Sequence, residues 1–187
     1  MQGFRTGMEY IGKRISFVRK PEELSIVISA YSDKSKTNLL LAWFIAWTLG
    51  GLAIFAYLFV THDNQVRTAI VVWLGFWIYF EYKVWKAYTW RTFGKEIIKI
   101  GKGKLFYKRD NRGQGKLLTC DTALIQNLEK FKGQESNLMS HFLNSYWVIA
   151  GETIAFNYYS KEILLGLQLE NKDSAALLKL IQSELKA

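Results

Sequence analysis

The chain has 187 residues, half of them hydrophobic, a formal net charge of +9 and a single cysteine. That length limits it to one or two small units, and one cysteine excludes an internal disulfide or a cysteine-built metal site. The basic excess points to an anionic partner: nucleic acid, acidic protein or a phospholipid surface.

Met1 to Pro21 is basic with scattered aromatics, Phe4, Tyr10 and Phe17. Its apolar residues follow neither the helical nor the strand period, so a segment lying on lipid and a disordered leader both stay open. It does not read as a signal peptide, because Gly7 to Lys20 is repeatedly charged. Glu23 to Tyr31 reads as a strand, with Leu24, Ile26 and Ile28 alternating with serines. Residues 1–38 are thus expected to be a basic cytoplasmic segment with one strand at 23–31.

Leu39 to Val60 is 22 residues long and carries no charge. At about 1.5 Å per residue, roughly 20 helical residues cross a hydrocarbon core about 30 Å thick. A second apolar run starts at Thr68 and fades through Glu81 and Lys83. Together they predict a two-helix transmembrane hairpin over 39–92, with helices at about 39–60 and 67–90. Seven basic residues precede the first helix and eleven lie between Lys83 and Lys116, against Arg67 alone in the turn. Cytoplasmic loops favour Lys and Arg, so a multi-pass protein with both termini cytoplasmic is expected.

Within the first helix, Ala42, Ala46, Gly50 and Ala53 recur at helical spacing, a stripe that lets two backbones approach closely. Packing against the second helix of the same hairpin is the plainer expectation; docking onto another membrane subunit is the functional one. In the second helix, Trp73, Trp77, Glu81, Trp85 and Tyr88 share one face. Glu81 is the only carboxylate in either run and is expected at headgroup level, where being charged costs little, rather than as a proton or substrate site.

Beyond Thr92 the period changes to two. Strands are expected at Glu96–Ile100, Leu105–Arg109, Lys116–Thr122, Leu124–Phe131, Tyr146–Ala150, Thr153–Tyr159 and Glu162–Leu169, with a polar loop over Lys132–Asn144. Asn171 to Asp173 offers cap side chains for a final helix ending near Leu185, with Leu177, Leu178, Ile181 and Leu185 on its apolar face. The expected fold is therefore a membrane α-helical hairpin plus an α+β soluble domain over 93–187. That domain is an antiparallel, pleckstrin-homology-like sheet or barrel of about seven strands, closed by the C-terminal helix. The strand at 23–31 is free to add to that sheet.

Three stretches resemble a family of bacterial membrane proteins of unassigned function, which carry a two-helix hairpin followed by a small pleckstrin-homology-like domain. They are Ser32–Lys36 with Ala42–Trp47, Phe93–Ile100, and Gly151–Lys161 with Ser174-Ala175-Ala176. Leu165-Gly166 stands where the family tends to have Phe-Gly, and Ser174-Ala175-Ala176 replaces a more acidic helix start. The resemblance implies the fold, the topology and a bacterial inner-membrane location, and it supplies no catalytic residues.

The densest basic cluster is Lys99, Lys102, Lys104, Lys108, Arg109, Arg112 and Lys116, expected to contact anionic lipid or an acidic partner. Lys108 and Arg109 are adjacent and so alternate faces on a strand. Phe106 and Tyr107 alternate likewise, which counts against nucleic acid. Ser140 and His141 lack a positioned third group, His62 sits beside Asp63 in the outer turn, and Gly101-x-Gly103 lacks phosphate-cradling spacing. The sequence therefore predicts no catalytic residue, metal, cofactor or small-molecule substrate. It predicts a non-enzymatic accessory or assembly subunit of an inner-membrane complex, contacting lipids and either a membrane-protein complex or further copies of itself. An anionic-lipid-responsive binding module is the alternative, and a membrane enzyme using Glu81, His141 or Ser140 the remote one.

Overall fold

The computed structural model describes residues 7–131, 149 and 151–186. They fall into two compact units. One comprises the residues up to Tyr31 together with those from Phe93 onward; the other is Ser32–Thr92.

The first unit is α+β. Strands β1 (Glu9–Ile11), β2 (Ile15–Lys20) and β3 (Glu23–Ser29) precede the helices, and β4 (Gly94–Gly101), β5 (Lys104–Asn111) and β6 (Leu117–Asp121) follow them. All six form one antiparallel sheet in sequence order. The N-terminal segment left open by its sequence is thus a hairpin, turned by Gly12 at φ +60. Ile15 is buried there and Phe17 packs against the core. The β3–β4 register sets Leu24 against Ile100, Ile26 against Ile98 and Ile28 against Glu96, which places all six on the inward face. Lys102 and Gly103 both take positive φ, as a two-residue hairpin turn matching strand twist requires.

After β6 a 3-10 turn, Thr122–Leu124, redirects the chain. A second antiparallel sheet follows, β7 (Ile125–Lys130), β8 (Ile154–Tyr158) and β9 (Lys161–Leu165). The expected sheet or barrel of about seven strands is therefore two sheets, of six and three strands among the described residues, and it is not closed into a barrel. The strand expected at Tyr146–Ala150, and all of the Lys132–Asn144 loop, lie outside the described residues apart from Ile149. The last strand ends at Leu165 rather than Leu169, because Gly166 and Gln168 take positive φ. Helix α3 (Asn171–Leu185) has Glu170 at its N-cap without a side-chain bond, so Asn171 and Asp173 begin the helix rather than cap it. Its Leu177 and Ile181 meet Ile154, Phe156, Leu165 and the first sheet in one core.

The second unit holds α1 (Lys34–Val60) and α2 (Asn64–Phe93). Asp33 caps α1, its carboxylate accepting from the Ser35 and Lys36 N–H groups. Asp63 does the same for Gln65 and Val66 at the start of α2. Helix α1 is long and apolar enough to cross a membrane, and only 11 % of its most apolar window is buried, unlike the core helix of a water-soluble fold. Helix α2 is longer, but Glu81, Lys83, Lys86 and Arg91 interrupt its apolar run. Among the described helices, α1 alone meets the requirement.

Candidate functional site

Three constellations gather the polar and basic residues. The first is buried between the sheets. Glu96 lies on the inward face of β4, opposite Arg109 in the register and beside Tyr107 on β5. It is 1 % exposed. One carboxylate oxygen accepts from the Leu167 N–H at 2.8 Å; the other accepts from the Gly166 N–H at 2.8 Å and the Tyr107 hydroxyl at 3.2 Å. Arg109 Nε donates to the Tyr107 oxygen at 2.8 Å, and its Nη2 reaches Glu152 at 2.8 Å and the Leu164 carbonyl at 3.2 Å. Arg14, from the β1–β2 turn, donates to the Leu167 and Gln168 carbonyls. The segment after β9 is thus gripped by an anion at its N–H groups and a cation at its carbonyls.

Burial pushes the Glu96 carboxyl above the usual range, against the lowering effect of the Leu167 and Gly166 N–H groups. Burial also pushes the Tyr107 hydroxyl well up. Both Glu96 oxygens already have donors, so the arrangement acts as a clamp. The sequence reading passed over Glu96 and Arg14 as site residues. The signal was present in Glu96-Ile97-Ile98-Lys99-Ile100, whose period of two puts the carboxylate on the isoleucine face.

The second constellation is the outer face of the six-stranded sheet. The predicted basic cluster does not stay together there. Lys99, Lys102, Lys104 and Lys108 line one open depression of about 970 Å³, with Lys20 beside them and Ile97, Phe106 and Leu117 among its walls. Arg109 belongs to the inner clamp. Arg112 stacks over the Phe93 ring at 4.1 Å, and Lys116 is exposed in the loop before β6. Lys108 holds Asp110 at 2.6 Å, and that hydrogen bond keeps the Asp110 carboxyl below its usual range.

The third lies between α1 and α2. The expected stripe of Ala42, Ala46, Gly50 and Ala53 is exposed, and a Cβ added at Gly50 would meet nothing within 4 Å. Packing within the hairpin uses the neighbouring face instead. Gly51 is buried under the Trp77 ring, which a Cβ would strike. The Trp77 Nε1–H donates to the Trp47 carbonyl at 3.2 Å. The Trp73 and Trp47 rings lie 6.1 Å apart, and Phe44 and Trp85 5.9 Å apart. The α2 stripe predicted from Trp73 to Tyr88 therefore meets α1 through Trp73, Trp77, Glu81 and Trp85, while the α1 stripe turns away.

Glu81 joins the same seam. It turns into the hairpin, where the Thr48 hydroxyl meets its Oε1. Thr48 is nine residues into the apolar run that starts at Leu39, about 14 Å along the helix. Glu81 Oε2 and Trp47 Nε1 are buried without a hydrogen-bond partner among the described residues.

Of the remaining candidates, Cys120 is fully buried in the core as a small apolar residue, and burial raises its thiol. His62 is exposed in the turn between α1 and α2. Ser140 and His141 lie outside the described residues. Among those described, no group of His, Cys, Asp and Glu is placed to hold a metal ion. No protein-family model matches this chain, nor does any curated protein or solved structure.

Proposed function

We propose that this chain is a non-enzymatic accessory or assembly subunit of a bacterial inner-membrane complex, of the hairpin and pleckstrin-homology-like kind that its motifs resemble. In this reading both helices cross the bilayer, the turn at His62 faces out and both termini are cytoplasmic. The charges of α2 are compatible with crossing: Glu81 turns towards Thr48, while Lys83 and Lys86 are exposed near the cytoplasmic end and reach the headgroups on long stems.

The observation that carries the proposal is the uncovered stripe of Ala42, Ala46, Gly50 and Ala53 on an otherwise bulky apolar helix. Lipid gives helices no hydrophobic reason to associate, so association depends on close packing, and small residues permit it. The hairpin leaves this face unused and closes through Gly51 and the tryptophans instead.

Photo-crosslinking in native membranes tests the proposal. A photoreactive residue at Ala46 is expected to give one discrete protein adduct, and one at Phe76, exposed on α2, to give none. Equal yields of protein adducts from both positions, or none from Ala46, would contradict it.

A further inference from the structure

The lysine-rimmed depression on the first unit has no part in the clamp and none in the hairpin. Its walls combine two chemistries. Five lysines, Lys20, Lys99, Lys102, Lys104 and Lys108, share it with apolar Ile97, Phe106 and Leu117. Leu117 is 62 % exposed, although it is a leucine on a strand. Glu22 and Glu23 complete the rim and pair with Lys102 at 3.2 Å and Lys99 at 3.8 Å.

We infer that this depression binds an extended acidic segment of a partner protein, one that presents both carboxylate and apolar side chains on the face turned to it. Two observations favour such a segment over anionic lipid. The surface is concave and partly apolar, whereas binding to a headgroup plane needs a face of one sign. Two rim carboxylates would oppose phosphate, yet an extended peptide can place its apolar side chains beside them. Side chains of an extended peptide point to opposite sides with a period of two, so a segment that offers both chemistries to one face carries carboxylate and apolar residues in turn at every second position. The inference rests on the reading of the chain as a partner-binding subunit, and it names the chemistry that the soluble unit recognises.

The test uses the full chain in nanodiscs of zwitterionic lipid, with a fluorescent peptide of about ten residues in the repeat Glu-Ser-Leu-Ser as the probe. Binding is expected to be salt-sensitive, as for screened charges. It should weaken at least tenfold in Lys104→Glu and in Phe106→Ser. Arg112→Glu makes the same charge change away from the depression and should leave binding within twofold. Lys104 carries no ion pair among the described residues that a reversal would break, and unchanged thermal unfolding of Lys104→Glu will show that the fold is intact. No binding to the wild type, or equal weakening by Arg112→Glu, would overturn the inference. So would capture of phosphatidylserine vesicles that Lys104→Glu abolishes while peptide binding is unchanged, which assigns the surface to lipid. The probe does not involve the hairpin, so failure of lateral docking in the membrane leaves this result readable.

Discussion

In the strand unit, Ile26, Ile98, Leu105, Phe156 and Ile181 are buried, and the charged groups that enter the interior arrive with partners. In the helical unit the relation is reversed. Leu49, Phe55, Phe59, Val72 and Phe76 are exposed, while Thr48, Glu81 and the Trp47 indole turn inward. An apolar surface of that extent is unfavourable in water and ordinary in hydrocarbon. On the proposed reading, the same rules of burial give opposite patterns because the helical unit meets hydrocarbon and the strand unit meets water.

The largest effect is expected where the strand unit's interior is most polar. Glu96→Ala leaves the Gly166 and Leu167 N–H groups without an acceptor, and should cost about 3–5 kcal/mol, as removing one partner of a buried charged network does. Hydrogen exchange at the Gly166 and Leu167 amides checks this directly, and protection there should collapse before it does in β3 and β4. If exchange at those two amides stays slow, the clamp is not what holds the segment.

In the helical unit the two adjacent glycines separate inside from outside. Gly51→Leu drives a side chain into the Trp77 ring and should destabilise the hairpin by about 1–3 kcal/mol. Gly50→Leu enters open space and should stay within about 0.5 kcal/mol. Unfolding in mixed micelles, followed by tryptophan fluorescence, ranks the two variants; equal effects would remove the distinction between the packed and the free face.

A smaller effect is expected from pH. The folded state raises the Glu96 carboxyl above its ordinary value of 4.5. The stability linked to it is fully present below that value and is lost as pH rises through the folded one. Glu96→Gln has no such proton to lose, so its stability should be flat across this interval, although lower overall. A wild-type profile that rises there would contradict the sign. The smallest effect is expected at Lys102, whose side chain is 80 % exposed and pairs with Glu22 in solvent. Lys102→Gln should change stability by no more than about 0.5 kcal/mol.

Much of the strand unit was legible because its alternation is local. The Leu24, Ile26 and Ile28 face and the Lys102-Gly103 turn need no distant information. The clamp was not legible, since Glu96 finds Gly166 and Leu167 some 70 residues later, and no local pattern announces that meeting. The β1–β2 hairpin was hidden because Lys13, Arg14, Arg19 and Lys20 interleave its few apolar residues. For α1, the spacing of Ala42, Ala46 and Gly50 identified a face, but which way that face turns depends on where Trp77 lands. In the basic cluster, the adjacency of Lys108 and Arg109 already put them on opposite faces, but nothing local announced that Arg109 would find Glu152, 43 residues later.

The most direct measurement is purification of the tagged chain from its native membrane in mild detergent, wild type beside Gly50→Leu, with mass spectrometry of what accompanies each. The account predicts a stoichiometric membrane partner with the wild type and at least a tenfold loss of it in Gly50→Leu, the hairpin remaining folded. A wild-type preparation without any partner, or full retention of the partner by Gly50→Leu, would contradict it.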